Sequence, residues 1–313
     1  MPALRHRLPL LLLALAPPLS AAVLHVPGGY ATIGQALAAA RGGDTILVAP
    51  GTYKESLDWP MPDGIRLIAP AGPTVTTIDA SGKGRVIRFG RGLSRATLLQ
   101  GFTVTGGLMK TSRNHGCGIY IQSSPTLRHN HIKGNVGDGT SWNYGGGIYI
   151  HSSATPRIER NLIEGNILRN GSWNYGAGIY DNSRGRAEIV GNRIVVNINE
   201  KGSRGYGGGI FVYGSKSRIV SNVIAGNLCR SDLWNYGGGI RVYTSSDAEI
   251  VNNTIAGNQV RGGNWQKGGG IDYGGTRGSI LNNIVAGNSA KSGGGIHGAS
   301  GVKLDYNDVW NNS

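Results

Sequence analysis

Two sequence tags that recur with one period of about thirty residues, in a chain where glycine fills 54 of 313 positions, predict an all-β solenoid. Its form is a right-handed parallel β-helix. Three sheets of short stacked strands surround one narrow apolar core, and a short amino-terminal helix caps it. The glycine content lies far above the usual ~7%. It follows no collagen-like triplet, and regularly spaced Ile, Val and Tyr interrupt it. Such glycines suit tight corners where a side chain would clash.

The first tag, Gly-x-Gly-Ile, places its Ile at Ile119, Ile148, Ile179, Ile210, Ile240, Ile271 and Ile296, in steps of 29, 31, 31, 30, 31 and 25. The second, Asn-x-Ile/Val-x-x-Asn, ends at Asn135, Asn166, Asn197, Asn227, Asn258 and Asn288, in steps of 31, 31, 30, 31 and 30. Two tags that keep the same step make residues about thirty apart vertical neighbours. Each unit then reads as three strands. Gly147–Ile150 alternates, with Ile148 and Ile150 inward and Tyr149 outward. Pro156–Ile158 and Leu162–Glu164 follow. Three strands joined by bends cannot bury a core alone, but stacked coils can. The terminal Asn of each third strand would bond to its equivalent one coil away, at ~4.8 Å.

Between the third strand and the next Gly-x-Gly-Ile lie segments of eight residues, as in Val136–Asn143, Ile167–Asn174 and Leu228–Asn235. Their equal lengths predict loops that stack into a flange. At the amino end, Thr32–Ala40 is a short apolar helix closed by Gly42-Gly43, fitted to plug the first coil. At the carboxyl end, Asn307, Val309 and Asn312 match the second tag, and no cap follows. That leaves continuation of the chain, end-to-end pairing or a capping partner to cover the strand edges.

Met1–Ala22 reads as a secretory signal: Arg5 and Arg7 precede the apolar Leu8–Leu19, and Ser20-Ala21-Ala22 offers small residues for cleavage. The segment is too short and Pro-broken to span a bilayer, so the protein is expected to be secreted or periplasmic. The organisation is a signal peptide at 1–22, a cap at 23–44 and β-helix repeats at 45–313. Formal charge is +14, and +12 without the signal. This surplus favours acidic partners or reflects a basic background. Nucleic acid is not expected, since export and the lack of a basic-aromatic motif oppose it. Cys117 falls at a Gly corner and Cys229 in a flange loop three to four coils on, roughly 14–19 Å apart, beyond disulfide reach. Both should be free.

The opening Ala31-Thr32-Ile33…Gly43-Asp44-Thr45-Ile46-Leu47-Val48-Ala49-Pro50-Gly51-Thr52-Tyr53, followed by Gly-Gly-Gly-Ile coils with Asn-x-Ile-x-Gly-Asn ends, resembles the pectate-lyase-like right-handed β-helix superfamily. The resemblance covers nearly the whole mature chain. It implies the fold and leaves function open, because lyases, hydrolases, esterases, epimerases and non-catalytic adhesins share it. The Asp clusters of its polygalacturonases and the Gly-Asp-Phe context of its methylesterases are absent. The grouped carboxylates with which its lyases hold Ca²⁺ find no counterpart among scattered acids. No cofactor or metal is assigned, and Ca²⁺ is not indicated.

Stacking turns two columns into candidate sites. Outward on the first strand stand Tyr120, Tyr149, Tyr180, Phe211, Arg241, Asp272 and His297, with Tyr213 and Tyr243 beside them. Aromatic faces suit pyranose rings and Arg241 suits a carboxylate. Arg241 or His297 could take the proton α to a uronate carboxyl, with Asp272 as orienter. The flange adds Trp142, Trp173, Trp234 and Trp265, with Arg204 between Trp neighbours for cation–π packing. Both columns equally suit ladders that only join coil to coil. Two functions therefore stand. One is a secreted β-helix that binds or cleaves a polysaccharide, by preference acidic, along its axial face. The other is a non-catalytic structural or adhesive solenoid. Inward Asp181 interrupts the column of Ile121, Ile150, Val212 and Val242; a bulge, a bond to Ser183 and a functional defect all fit it.

Overall fold

A computed structural model describes residues 20–243 and 245–313. The signal-peptide expectation thus lies outside the described residues, except for its last three. Every pairing between named strands is parallel and joins one coil to the next, as in Ile148↔Ile179 and Ile179↔Ile210.

Among the described residues, three sheets of nine, eleven and ten strands form the solenoid. The front sheet contains Ile148–Ile150, the back sheet Arg157–Glu159 and the side sheet Leu162–Glu164. Ile148, Ile150, Ile158 and Ile163 are fully buried. Each coil therefore contributes its own slice of one continuous apolar core, which the alternation of side chains along a strand makes possible. The corner before each front strand needs glycine. Gly145 has φ +64°, and a Cβ there would lie 2.3 Å from Ile148 O.

The side-sheet ends carry the expected ladder: Asn166 Nδ2 donates to Asn197 Oδ1 at 3.0 Å, and Asn197 to Asn227 at 3.0 Å. A second ladder, from the first Asn of the same tag, runs through Asn161, Asn192 and Asn222 at 3.0 Å per step. Both are buried. Each amide also serves a backbone carbonyl, as Asn197 Nδ2 does for Ile163 O at 3.0 Å. That meets the backbone's polar demand at corners where the sheets break.

The helix Ile33–Ala39 buries Ile33, Ala36 and Leu37 over the first coil. Thr32 caps it by accepting from Gln35 N at 3.1 Å, and Glu55 accepts from Ile33 N and Gly34 N. At the other end, Leu304, Tyr306, Val309 and Trp310 are exposed.

The flange differs from its expectation. Its eight-residue segments are not loops. Each supplies two further strands, such as Ile167–Arg169 and Trp173–Tyr175, and these build two more parallel sheets of six strands. The reason is an inner row with its own burial: Leu168, Asn199, Cys229 and Val260. Cys117 and Cys229 are both free and buried. Among the described residues no helix is long and apolar enough to cross a membrane.

Candidate functional site

The front sheet brings its outward column into one register, from Tyr120↔Tyr149 through Phe211↔Arg241 to Asp272↔His297. Most of this column is not on the surface. Tyr149, Tyr180 and Phe211 are 5%, 6% and 2% exposed. The flange folds back against the front sheet and lays a second ladder over the first. Tyr120, Tyr149, Tyr180 and Phe211 stack at 5.2, 5.2 and 5.3 Å, with planes within 10°. Tyr144 stacks on Tyr175 at 5.3 Å and Tyr206 on Tyr236 at 5.2 Å, and Tyr175 meets Tyr206 at 5.4 Å with planes 34° apart. The ladders touch through tilted rings, with Tyr175 5.0 Å from Phe211 and 43° between their planes. This is a second apolar core, bonded by offset ring contacts.

Where the ladders part, a cleft of about 410 Å³ opens. Its lining is entirely aromatic. Trp173, Trp234, Tyr180, Phe211, Tyr213 and Tyr243 come from the candidate columns, and Tyr144, Tyr175 and Tyr206 join them. Tyr213 and Tyr243, 39% and 38% exposed, form its open rim. Arg204 lies between Trp173 and Trp234, its Cζ 3.7 and 3.9 Å from their ring centroids. Trp142 is covered by Arg113 at 4.4 Å, and Trp265 is exposed with Lys267 at 5.7 Å. Burial raises the phenols: Tyr149 is pushed up to about 12, and Tyr175, Tyr180 and Tyr206 higher. All stay neutral hydroxyls, able both to donate and to accept.

Arg241, Asp272 and His297 continue the column on the last coils, outside the cleft. Asp272 is 1% exposed. Its Oδ2 meets Arg241 Nη1, and its Oδ1 lies 2.6 Å from His297 Nδ1. The carboxylate is enclosed by its two partners, because an unpaired charge at this depth would be costly. Burial brings Arg241 down to about 10, still cationic at neutral pH. Burial, then Lys267 and Arg241, also lower His297. A neutral ring that donates from Nδ1 to Asp272 would leave Nε2 as its base.

Asp181 is no bulge, for its strand pairs regularly on both sides. Its Oδ1 accepts from Ser183 N at 2.9 Å, and its Oδ2 accepts from Ser215 Oγ at 3.0 Å and from Ser217 Oγ. Burial raises its pKa, and the serine bonds oppose the shift. At the amino-terminal end of the face, sequence reading passed over Arg85, Arg88 and His115. Arg88 shares the column of Tyr120. The irregular coil before the first Gly-x-Gly-Ile concealed that register. Among the described residues, no group of three or more His, Cys, Asp or Glu is placed to hold a metal.

The model of the family described as right handed beta helix region matches residues 108–194 and 140–274. Among solved structures, a pectin methylesterase in complex with hexasaccharide VII is similar at 12% identity, covering 80% of this chain and 82% of that one, with a TM-score of 0.39. A mannuronic acid specific polysaccharide family 6 lyase from human gut microbiota is similar at 15% identity, covering 91% and 82%, with a TM-score of 0.22. Likeness at this distance concerns the course of the chain alone. No curated protein matches the sequence.

Proposed function

We propose, from the premise that the chain belongs to the right-handed β-helix family, that the protein is exported and binds a polysaccharide along its axis, in the aromatic cleft. One observation carries this reading: a cleft of about 410 Å³ whose whole lining is rings, opened to solvent by Tyr213 and Tyr243. Pyranose faces present C–H groups that pack on aromatic faces, while the phenol hydroxyls at the rim exchange hydrogen bonds with sugar hydroxyls. Successive coils lie ~4.8 Å apart, close to the length of one sugar unit, so a chain parallel to the axis meets an equivalent surface at each coil. The mature charge of +12 favours an acidic chain.

The test is a panel of pectate, alginate, glycosaminoglycans and neutral β-glucans against the mature protein, read by calorimetry. Binding that Tyr213→Ala and Tyr243→Ala weaken supports the cleft. Absence of binding to every member returns the protein to the structural or adhesive solenoid, which the burial of Tyr149, Tyr180 and Phe211 also suits.

A second reading, cleavage of that polysaccharide, is favoured by the 2.6 Å contact between Asp272 and His297. In it His297 Nε2 takes the C5 proton α to a uronate carboxyl, the C4–O4 bond breaks as the C4–C5 double bond forms, the imidazolium returns the proton to the departing O4, and Asp272, itself paired with Arg241, holds the ring. Unsaturated products absorb in the ultraviolet. His297→Ala should abolish their release while leaving affinity in place. A wild-type protein that forms none on any uronate polymer removes this reading and keeps the first.

A further inference from the structure

The amino-terminal end of the aromatic face gathers cations that polysaccharide stacking does not use. Arg85 is the best held of them. Its Nε donates to His115 O at 3.1 Å and to Gly116 O at 2.9 Å, and its Nη2 to His115 O at 2.6 Å. Its Cζ lies 4.6 Å from the Tyr120 ring centroid. The guanidinium is therefore fixed by backbone carbonyls and one ring, and among the described residues no carboxylate forms an ion pair with it. Arg88, in the Tyr120 column, donates from Nη2 to Gln122 Oε1 at 3.2 Å. Lys83, Arg85 and Arg88, with Ser56, Leu57 and Asp58, line a depression of about 200 Å³.

The carboxylate at this depression is Asp58. It stands 3.8 Å from Arg88 with its side chain 81% exposed, so it screens little. The opposite end of the face makes the comparison. There Arg241 is closed by a buried Asp272. His115, stacked on Tyr144 at 4.9 Å, is held down to about 4 by burial and then by Arg85, His151 and Arg113.

A fixed, partly desolvated guanidinium without a counter-ion is prepared for a planar or tetrahedral oxyanion. Its geometry is set before the ligand arrives, so little side-chain entropy is lost on binding. We propose that this depression is an anion subsite that takes the carboxylate of an acidic sugar. Tyr120 is the first rung of the ladder that leads to the cleft, 5.2 Å from Tyr149 with planes 4° apart. The inference rests on the polysaccharide reading for the chain beyond the subsite, and it assigns the charged group of that chain to Arg85, Arg88 and Lys83.

The experiment follows the His115 imidazole of the mature protein by NMR. The probes are galacturonate monomer, inorganic sulfate and an uncharged hexose, tested against wild type, Arg85→Gln and the exposed double variant Lys83→Gln/Arg88→Gln. Galacturonate should raise the His115 pKa toward its ordinary value, by neutralising the cations around it. The hexose should not. The double variant should weaken galacturonate at least fivefold and lower the salt dependence of binding, and Arg85→Gln should weaken it further if it stays folded. No response of His115 to galacturonate, or equal affinity in the double variant, overturns the subsite. A response to sulfate alone overturns its assignment to a sugar acid. Polysaccharide that binds at the cleft with no response at His115 removes the subsite and leaves the cleft. A galacturonate response without any polysaccharide binding supports the subsite and removes the cleft.

Discussion

Tyr213 stacks on Tyr243 one coil away, ring centroids 5.6 Å apart and planes at 26°. Below them Phe211 and Tyr180 stack at 5.3 Å in almost complete burial. Rim and floor of one cleft therefore carry different loads. Tyr243→Ala should cut affinity for a bound glycan about tenfold, ~1.4 kcal/mol, within reach of one lost ring contact. It should leave thermal stability nearly unchanged. Tyr180→Ala should instead cost about 3–5 kcal/mol of stability. Calorimetry and denaturant unfolding on both variants separate the two. Equal stability losses would show that the rim, too, is only ladder.

Arg204 interrupts the tryptophan column and sits between two indoles at 3.7 and 3.9 Å. Arg204→Met keeps most of the apolar stem and removes the charge. Two partly buried cation–π contacts predict a loss of about 1–2 kcal/mol, accompanied by faster amide exchange in strand Arg204–Tyr206. An unchanged unfolding midpoint would reduce the sandwich to a geometric coincidence.

Asp181 makes stability depend on pH with a definite sign. Its folded pKa is raised, first by burial. In the window above the ordinary carboxyl value the native state then holds its proton more tightly than the unfolded chain. Stability is full below that window and falls as pH rises through the folded pKa. Asp181→Asn should raise the melting temperature at pH 7 and have little effect at pH 3. Equal effects at both values would mean that the carboxyl does not titrate differently on folding.

Val196 stands at φ +49°, where other coils place Gly134, Gly165, Gly226, Gly257 and Gly287 at φ from +58° to +63°. A β-branched residue is strained there by ~1–2 kcal/mol. Val196→Gly should stabilise the protein by about 0.5–1 kcal/mol after the entropic cost of glycine. Its side chain is exposed, so little packing is lost. A lower unfolding midpoint would contradict the strain.

Much of this molecule is legible before folding because a solenoid maps sequence period directly onto space. Ile148, Ile179 and Ile210 become vertical neighbours, and Asn166 reaches Asn197, by the same spacing that is read along the chain. The aromatic registers are equally readable. Their depth is not. Tyr149 lies at an outward position of a front strand and Tyr213 one residue past the strand Ile210–Val212, yet one is buried and the other forms a rim.

Sequence alone determined the coil, its period, the inward rows, the capping helix and the columns of the candidate site, because every one of these is a local repeat stacked without long-range choice. Tertiary structure decided what the flange does. Its eight-residue segments pair into sheets and turn back over the front face, so Tyr144, Tyr175 and Tyr206 bury one stretch of the column and leave a cleft beside it. It also decided that Asp272 is enclosed and Arg85 is not. Burial and charge pairing depend on which surfaces meet, and period along one chain carries no record of the fold-back that brings them together.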